Sequence, residues 1–198
     1  QVPVFLDGVM LNAAGFSSVN LGDLSLDSLE RIEIYRGGAP RALGSGIGGA
    51  VSLETKSFET PATEVALSYG SWNTARLFLL RSEAIGGVSG LALLSVTGSQ
   101  GDFEYLDTNG TVVANEDDDT IKKRRNNHHT AYGALIKLDG NIGFWEWTVL
   151  NDLLAKQQGL AFIESLTSQR TDLHASLRNL RDVLNVRVSG PLAQSVNL

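Results

Sequence analysis

The clearest signal along the chain is a two-residue alternation of apolar and polar positions, repeated in short runs. That is the period of a β-strand with one face against an apolar medium. Arg31-Ile32-Glu33-Ile34-Tyr35-Arg36 alternates cleanly, and Val51 and Leu53 share one side of residues 50–55. Beyond residue 62 the runs lengthen. Val65, Leu67 and Tyr69 fall on one face; so do Tyr132, Ala134, Ile136 and Leu138, opposite Gly133 and Lys137. Trp145, Trp147 and Val149 oppose Phe144, Glu146 and Thr148, while Leu184, Val186 and Val188 oppose Asn185, Arg187 and Ser189. Segments 75–82 and 90–98 are apolar but alternate poorly. One run dissents: Leu173, Leu177, Leu180 and Leu184 have the spacing of a helix face.

The connections between these runs are unequal. Residues 85–90 and 139–143 make short glycine-bearing turns, whereas 98–127 and 155–171 are long and polar. Alternating strands with short turns at one end and long loops at the other match a transmembrane β-barrel, apolar towards lipid and polar towards the lumen. A soluble β-sandwich gives similar alternation, so both stay open on pattern alone. The first 56 residues are built differently, from short strands and glycine turns. Residues 2–6 are apolar and end at the turn pair Asp7-Gly8, and residues 12–20 form a small polar loop around Phe16. Residues 24–31 include a helical turn with Ser25 or Asp27 as N-cap, and a Ser/Thr/Pro linker occupies 57–62.

Composition narrows the classes. Glycine makes up 21 of 198 residues, which favours turns and close backbone packing over a helical bundle. A net charge of −6 gives no electrostatic support to nucleic-acid binding. The absence of cysteine excludes disulfides, thiolate catalysis and cysteine-bound zinc. No apolar run reaches the roughly 18–20 residues of a membrane helix. The chain opens inside a strand-like run and stops without a terminator, as expected of a fragment.

Residues 44–49, GSGIGG, satisfy the G-x-G-x-x-G pattern of a dinucleotide loop, with Glu64 about twenty residues on. That motif needs a strand running directly into the glycines and a helix leaving them. Here the preceding strand ends eight residues early, the following residues favour a strand, and Glu64 lies beyond Pro61. A soluble nucleotide-dependent enzyme therefore requires a helix after Gly49.

Several blocks in the first 56 residues together resemble the C-terminal half of the plug domain of TonB-dependent outer-membrane receptors. The blocks are VPVFLDGVML, then SLERIEIYRGGAPRALGSGIGGAVSLETK. Asp7, Gly8, Glu33, Arg36, Gly37, Gly44, Gly48 and Gly49 fall at positions of the plug motif, with Leu43 replacing the usual aromatic. The resemblance implies a mainly β fold: a plug fragment of small α+β type over 1–56, a linker over 57–62, and antiparallel strands of an incomplete transmembrane β-barrel over 63–198. About five or six barrel strands are expected, and the resemblance favours strand over helix in the dissenting run, at least from Val183. It further implies a bacterial outer-membrane location, binding and transport rather than enzymatic catalysis, and no cofactor. Its partners would be outer-membrane lipid, a scarce small-molecule ligand such as a ferric siderophore or cobalamin, and the TonB complex, whose contact segment is expected upstream of Gln1. DGVMLN with its short following loop resembles cobalamin receptors more than other subfamilies. An outer-membrane surface receptor or adhesin without energised uptake is the alternative.

By position, the resemblance makes residues 12–20 an outward-facing plug loop, with Asn12, Phe16, Ser17, Ser18 and Asn20 able to contact ligand. An ordinary solvated loop has the same composition. Glu33 and Arg36 are expected to meet a polar wall or each other. The acidic run Asp117, Asp118 and Asp119 could offer oxygens to Ca²⁺, although its spacing matches no EF-hand. His128 and His129 are adjacent and on a strand would point to opposite faces, so one metal cannot be gripped by both. Trp72, Tyr69, Trp145, Trp147 and Phe144 fit the aromatic girdles of a membrane barrel.

Overall fold

A computed structural model describes residues 2–12, 19, 24, 26–38, 40, 48–56, 61–108, 119–161 and 174–191. Twelve strands are present among them. The first four are β1 (Val4–Leu6), β2 (Val9–Met10), β3 (Leu29–Tyr35) and β4 (Ala50–Thr55). They form a small mixed sheet in the order β2-β1-β4-β3, with β1 parallel to β4 and the other pairs antiparallel. Val4, Phe5 and Leu6 are all buried because β1 lies inside this sheet and is covered on both faces. A single 3-10 turn, Leu26–Ser28, precedes β3, where the sequence suggests a helical turn. Both candidate caps lie outside the described side chains.

The strand after the glycines settles the dinucleotide question. β4 follows Gly49 directly, so no helix N-terminus faces a phosphate, and Glu64 is ion-paired with Lys56 at 3.2 Å. Gly49 has φ +103°, and a Cβ there would lie 2.1 Å from the Tyr35 carbonyl oxygen. The glycine lets the β3 and β4 backbones meet at the mouth of their connection.

Six longer strands make a second sheet: β5 (Ala62–Gly70), β6 (Thr74–Ile85), β7 (Val88–Ser99), β10 (His129–Ile142), β11 (Trp145–Gly159) and β12 (Ser176–Ser189). Their order is β5-β6-β7-β10-β11-β12, antiparallel throughout. The turns at residues 86–87 and 143–144 are two residues long and lie at one end. At the other end, β8 (Glu104–Asp107) and β9 (Thr120–Lys123) form a separate hairpin inside the 100–128 connection, an element the sequence pattern does not reveal.

One face of the large sheet is an apolar surface left open: Leu67, Tyr69, Tyr132, Leu184 and Val188 are all more than half exposed. From Ile142 to Tyr132 along β10 is ten residues, about 33 Å of strand, or about 25 Å of height at the tilt usual for barrels. That equals the lipid-facing band of an outer-membrane barrel. Aromatic residues mark its edges, with Phe144, Trp145 and Trp147 at the short-turn end and Tyr69, Trp72 and Tyr132 at the other, as the girdle reading requires.

The opposite face departs from the expected polar lumen. Phe78, Leu80, Leu91, Leu93 and Leu135 form a buried apolar cluster there. Leu150, with no exposed surface, joins Val4, Leu6 and Leu53 of the small sheet in a second one. The large sheet is thus apolar on both faces at mid-height, which is why β6 and β7 alternate poorly in sequence. β12 is strand throughout, so the helix-like leucine spacing is overturned. In a strand Leu177 points opposite to Leu180 and Leu184, and all fourteen residues pair with β11.

Candidate functional site

Where the two sheets touch, the contact is organised around Asp7. The β1–β2 turn holds Asp7 and Gly8 at φ +46° and +84°, which lifts the Asp7 carboxylate out of the small sheet. Its Oδ1 accepts the Thr55 backbone N–H at 2.9 Å, and its other oxygen accepts the Thr55 hydroxyl. Lys137 reaches in from β10, with Nζ 3.3 Å from Asp7 Oδ2 and 3.1 Å from Thr55 Oγ1. Arg187 on β12 donates to the Asp7 carbonyl at 3.0 Å. The Asp7 and Lys137 side chains are only 13% and 14% exposed, so this pair is far less screened than a surface salt bridge. One carboxylate therefore joins β1, β4 and the wall strand β10, directly beside the apolar contact at Leu150.

Glu33 does not pair with Arg36, and it shares an open cavity with the polar wall residues Lys137, Thr148 and Arg187. Its ion pair is with Arg31, at 3.3 Å on the same strand, and the Tyr35 hydroxyl donates to it; Arg36 lies exposed beyond the end of β3. Arg31 also grips Glu54 of β4 through two nitrogens. The Glu54 hydrogen bond, helped by Glu33, raises the Arg31 pKa further. Donation to the Glu33 carboxylate, with a smaller contribution from burial, raises the Tyr35 phenol above 10.0. The neutral phenol is the form the fold favours. Its stabilisation is complete below the unfolded value and is lost as pH rises through the raised folded one. An ultraviolet titration should show Tyr35 ionising later than an ordinary tyrosine, and Glu33→Gln should bring it back towards 10.0. An unchanged Tyr35 titration in that variant contradicts the assignment.

A second region lies above the small sheet, towards the long connections. Arg76, Thr97, Ala131, Lys156 and Asn179 stand in one row across five strands, on the face that carries Lys137 and Leu150. Next to them Arg181 pairs with Asp152 at 2.6 Å, and His129 sits at the start of β10. All of these except Asn179, with Leu24, Leu26 and Ser28 of the small domain as a floor, line a cleft of about 280 Å³. A second cleft, about 540 Å³, continues to the mouth between Trp72, Phe103, His128, His129, Lys156 and Gln158. Trp72 and Phe103 meet edge to face with ring centroids 6.1 Å apart.

The sequence-derived candidates fare unequally. Asn12 has its Oδ1 bonded to the Val4 N–H at 2.8 Å, so half of its side chain fixes β1. Phe16, Ser17, Ser18 and Asn20 lie outside the described residues, as do Gly44, Asp117 and Asp118. Asp119 is half-buried at the start of β9, and no group of metal ligands occurs among the described residues. Arg76, Lys156 and Arg181 were invisible as a set because residues on different strands become neighbours only through sheet register.

A short-stranded sheet seated by a carboxylate latch and an apolar contact against one face of a larger, open antiparallel sheet is the arrangement of a plug against a stretch of barrel wall. Residues 1–51 match the family model described as TonB-dependent Receptor Plug Domain. The fold is also similar to a chain of the solved FpvAI–pyocin S2 complex, with a TM-score of 0.67 and 15% identity. The match covers 94% of this chain but 24% of that one. Residues 1–51 accordingly carry a TonB-dependent receptor plug domain, the chain as a whole is similar in fold to about a quarter of that larger chain, and its place is the bacterial outer membrane.

Proposed function

We propose that the whole protein is a TonB-dependent transporter that captures an anionic metal chelate of the ferric-siderophore class. The chelate is admitted by rearrangement of the plug. The observation behind the ligand class is the cationic lining of the lumen above the plug: Arg76, Lys156 and Arg181 surround one carboxylate, Asp152. Such a wall draws an anion down from the mouth and disfavours a cation. It offers less to net-neutral cyanocobalamin. The Trp72–Phe103 pair at the rim supplies an apolar face for the organic part of the chelate. Transport and binding account for these groups without covalent chemistry.

Titration of the full-length receptor with a panel of ferric siderophores and cyanocobalamin tests the ligand class. Saturable binding of a siderophore that weakens as salt rises is the expected result. Saturable binding of cyanocobalamin alone would overturn it. A surface receptor without energised uptake would also bind, so the transport step needs its own measurement.

A further inference from the structure

We infer that Asn126 is a positioning residue that sets the β8–β9 hairpin over the lumen mouth by tying its stem to that of the next connection. This rests on the reading of the mouth cleft as the capture site. Asn126 lies between β9 and β10 in the left-handed region, φ +51°, which asparagine tolerates better than most residues. Its Nδ2 donates twice, to the Leu160 carbonyl at 2.9 Å and to the Ala175 carbonyl at 2.8 Å. Those carbonyls belong to the two ends of the β11–β12 connection, which are themselves joined by Leu160 N–H to Ala175 O at 2.9 Å. Both protons of one primary amide are used, and no carboxylate or hydroxyl can supply such a pair.

The surroundings are shaped for this contact. A Cβ on Gly159 would lie 2.5 Å from Asn126 Oδ1 and 2.6 Å from its carbonyl oxygen, so only glycine lets the two stems approach. Asn127 closes the hairpin's own stem, donating to the Gly101 carbonyl at 2.9 Å. On the far side the stem is held to the β5–β6 turn, where Gln100 N–H donates to the Trp72 carbonyl at 3.0 Å and Phe103 packs on Trp72. The hairpin is therefore fixed from both flanks of the mouth. On the flank that carries Gln158 and Lys156 the stem is attached by Asn126 together with the Gly159 N–H, which donates to the His128 carbonyl at 2.8 Å.

The test is made on the full-length receptor in nanodiscs, with spin labels at Lys123→Cys on β9 and Gln157→Cys on β11. Asn126→Asp keeps shape and backbone preference but turns an oxygen towards the two carbonyls; Asn126→Ala is the second variant. Either one should raise the population of hairpins away from the docked distance about tenfold, the effect of losing two neutral hydrogen bonds. Amide exchange in β10, β11 and β12 should stay as in the parent. An unchanged distance distribution in both variants overturns the inference, and so does broadening accompanied by lost protection in those strands. These readouts need no ligand, so they stand or fall separately from the transport reading.

Discussion

Replacing Asp7 by alanine is expected to destabilise the seated plug by about 2–4 kcal/mol, the range for stripping the partner from a largely buried charge. The Thr55 N–H and hydroxyl lose their acceptor at once, and the Lys137 ammonium loses its counter-ion and keeps only Thr55 Oγ1. Lys137, 14% exposed, cannot simply turn to water. Lys137→Met should cost less, about 1–2 kcal/mol, because the Asp7 carboxylate then keeps both Thr55 donors. Asp7→Asn combined with Lys137→Met should recover much of the loss, since no uncompensated charge is left. Protease sensitivity of the plug in the folded full-length receptor, followed against denaturant, gives the ranking. A Lys137→Met variant weaker than Asp7→Ala would show that the lysine, not the carboxylate, organises the contact.

Leu150→Ala should cost about 3 kcal/mol of plug–wall stability, the usual result of emptying a buried leucine site. Leu150 has no exposed surface and fills the space between Val4, Leu6 and Leu53, so it belongs to the core of the other sheet. Leu150→Asp should be worse, because it sets a second carboxylate in that apolar contact without a partner. The neighbouring Val149→Ala is the control. Val149 points to the lipid side and is half-buried, so its loss should cost under about 1 kcal/mol. Equal effects of Leu150→Ala and Val149→Ala on plug release would mean that the plug does not rest on this wall.

Much of the wall was legible because lipid imposes a simple rule on one face. Tyr132, Ile136 and Leu138, or Leu184, Val186 and Val188, alternate against polar neighbours and read directly as strands. The same rule fails at Phe78, Leu80, Leu91 and Leu93, where the inner face is apolar as well and buried in a cluster with Leu135. It fails differently at Leu177, Leu180 and Leu184, whose three- and four-residue spacing coincides with a helix period while they serve opposite faces of β12. The turn at Asp7-Gly8 was visible from residue type, but its function was not. The ammonium that completes the Asp7 contact comes from Lys137, which in sequence is only a polar position in an alternating run. Arg76, Lys156 and Arg181 become neighbours through β-register over more than a hundred residues, and Asn126 acts through a backbone conformation. Local pattern carries none of these.

We propose that this plug and wall belong to an energised transporter. This is tested most directly by uptake of labelled ferric siderophores into cells expressing the full-length receptor, with TonB present and with TonB removed. Saturable accumulation of at least one siderophore that disappears without TonB, while surface binding persists, is the expected result. Accumulation that continues undiminished without TonB, or binding that never leads to accumulation, would contradict it.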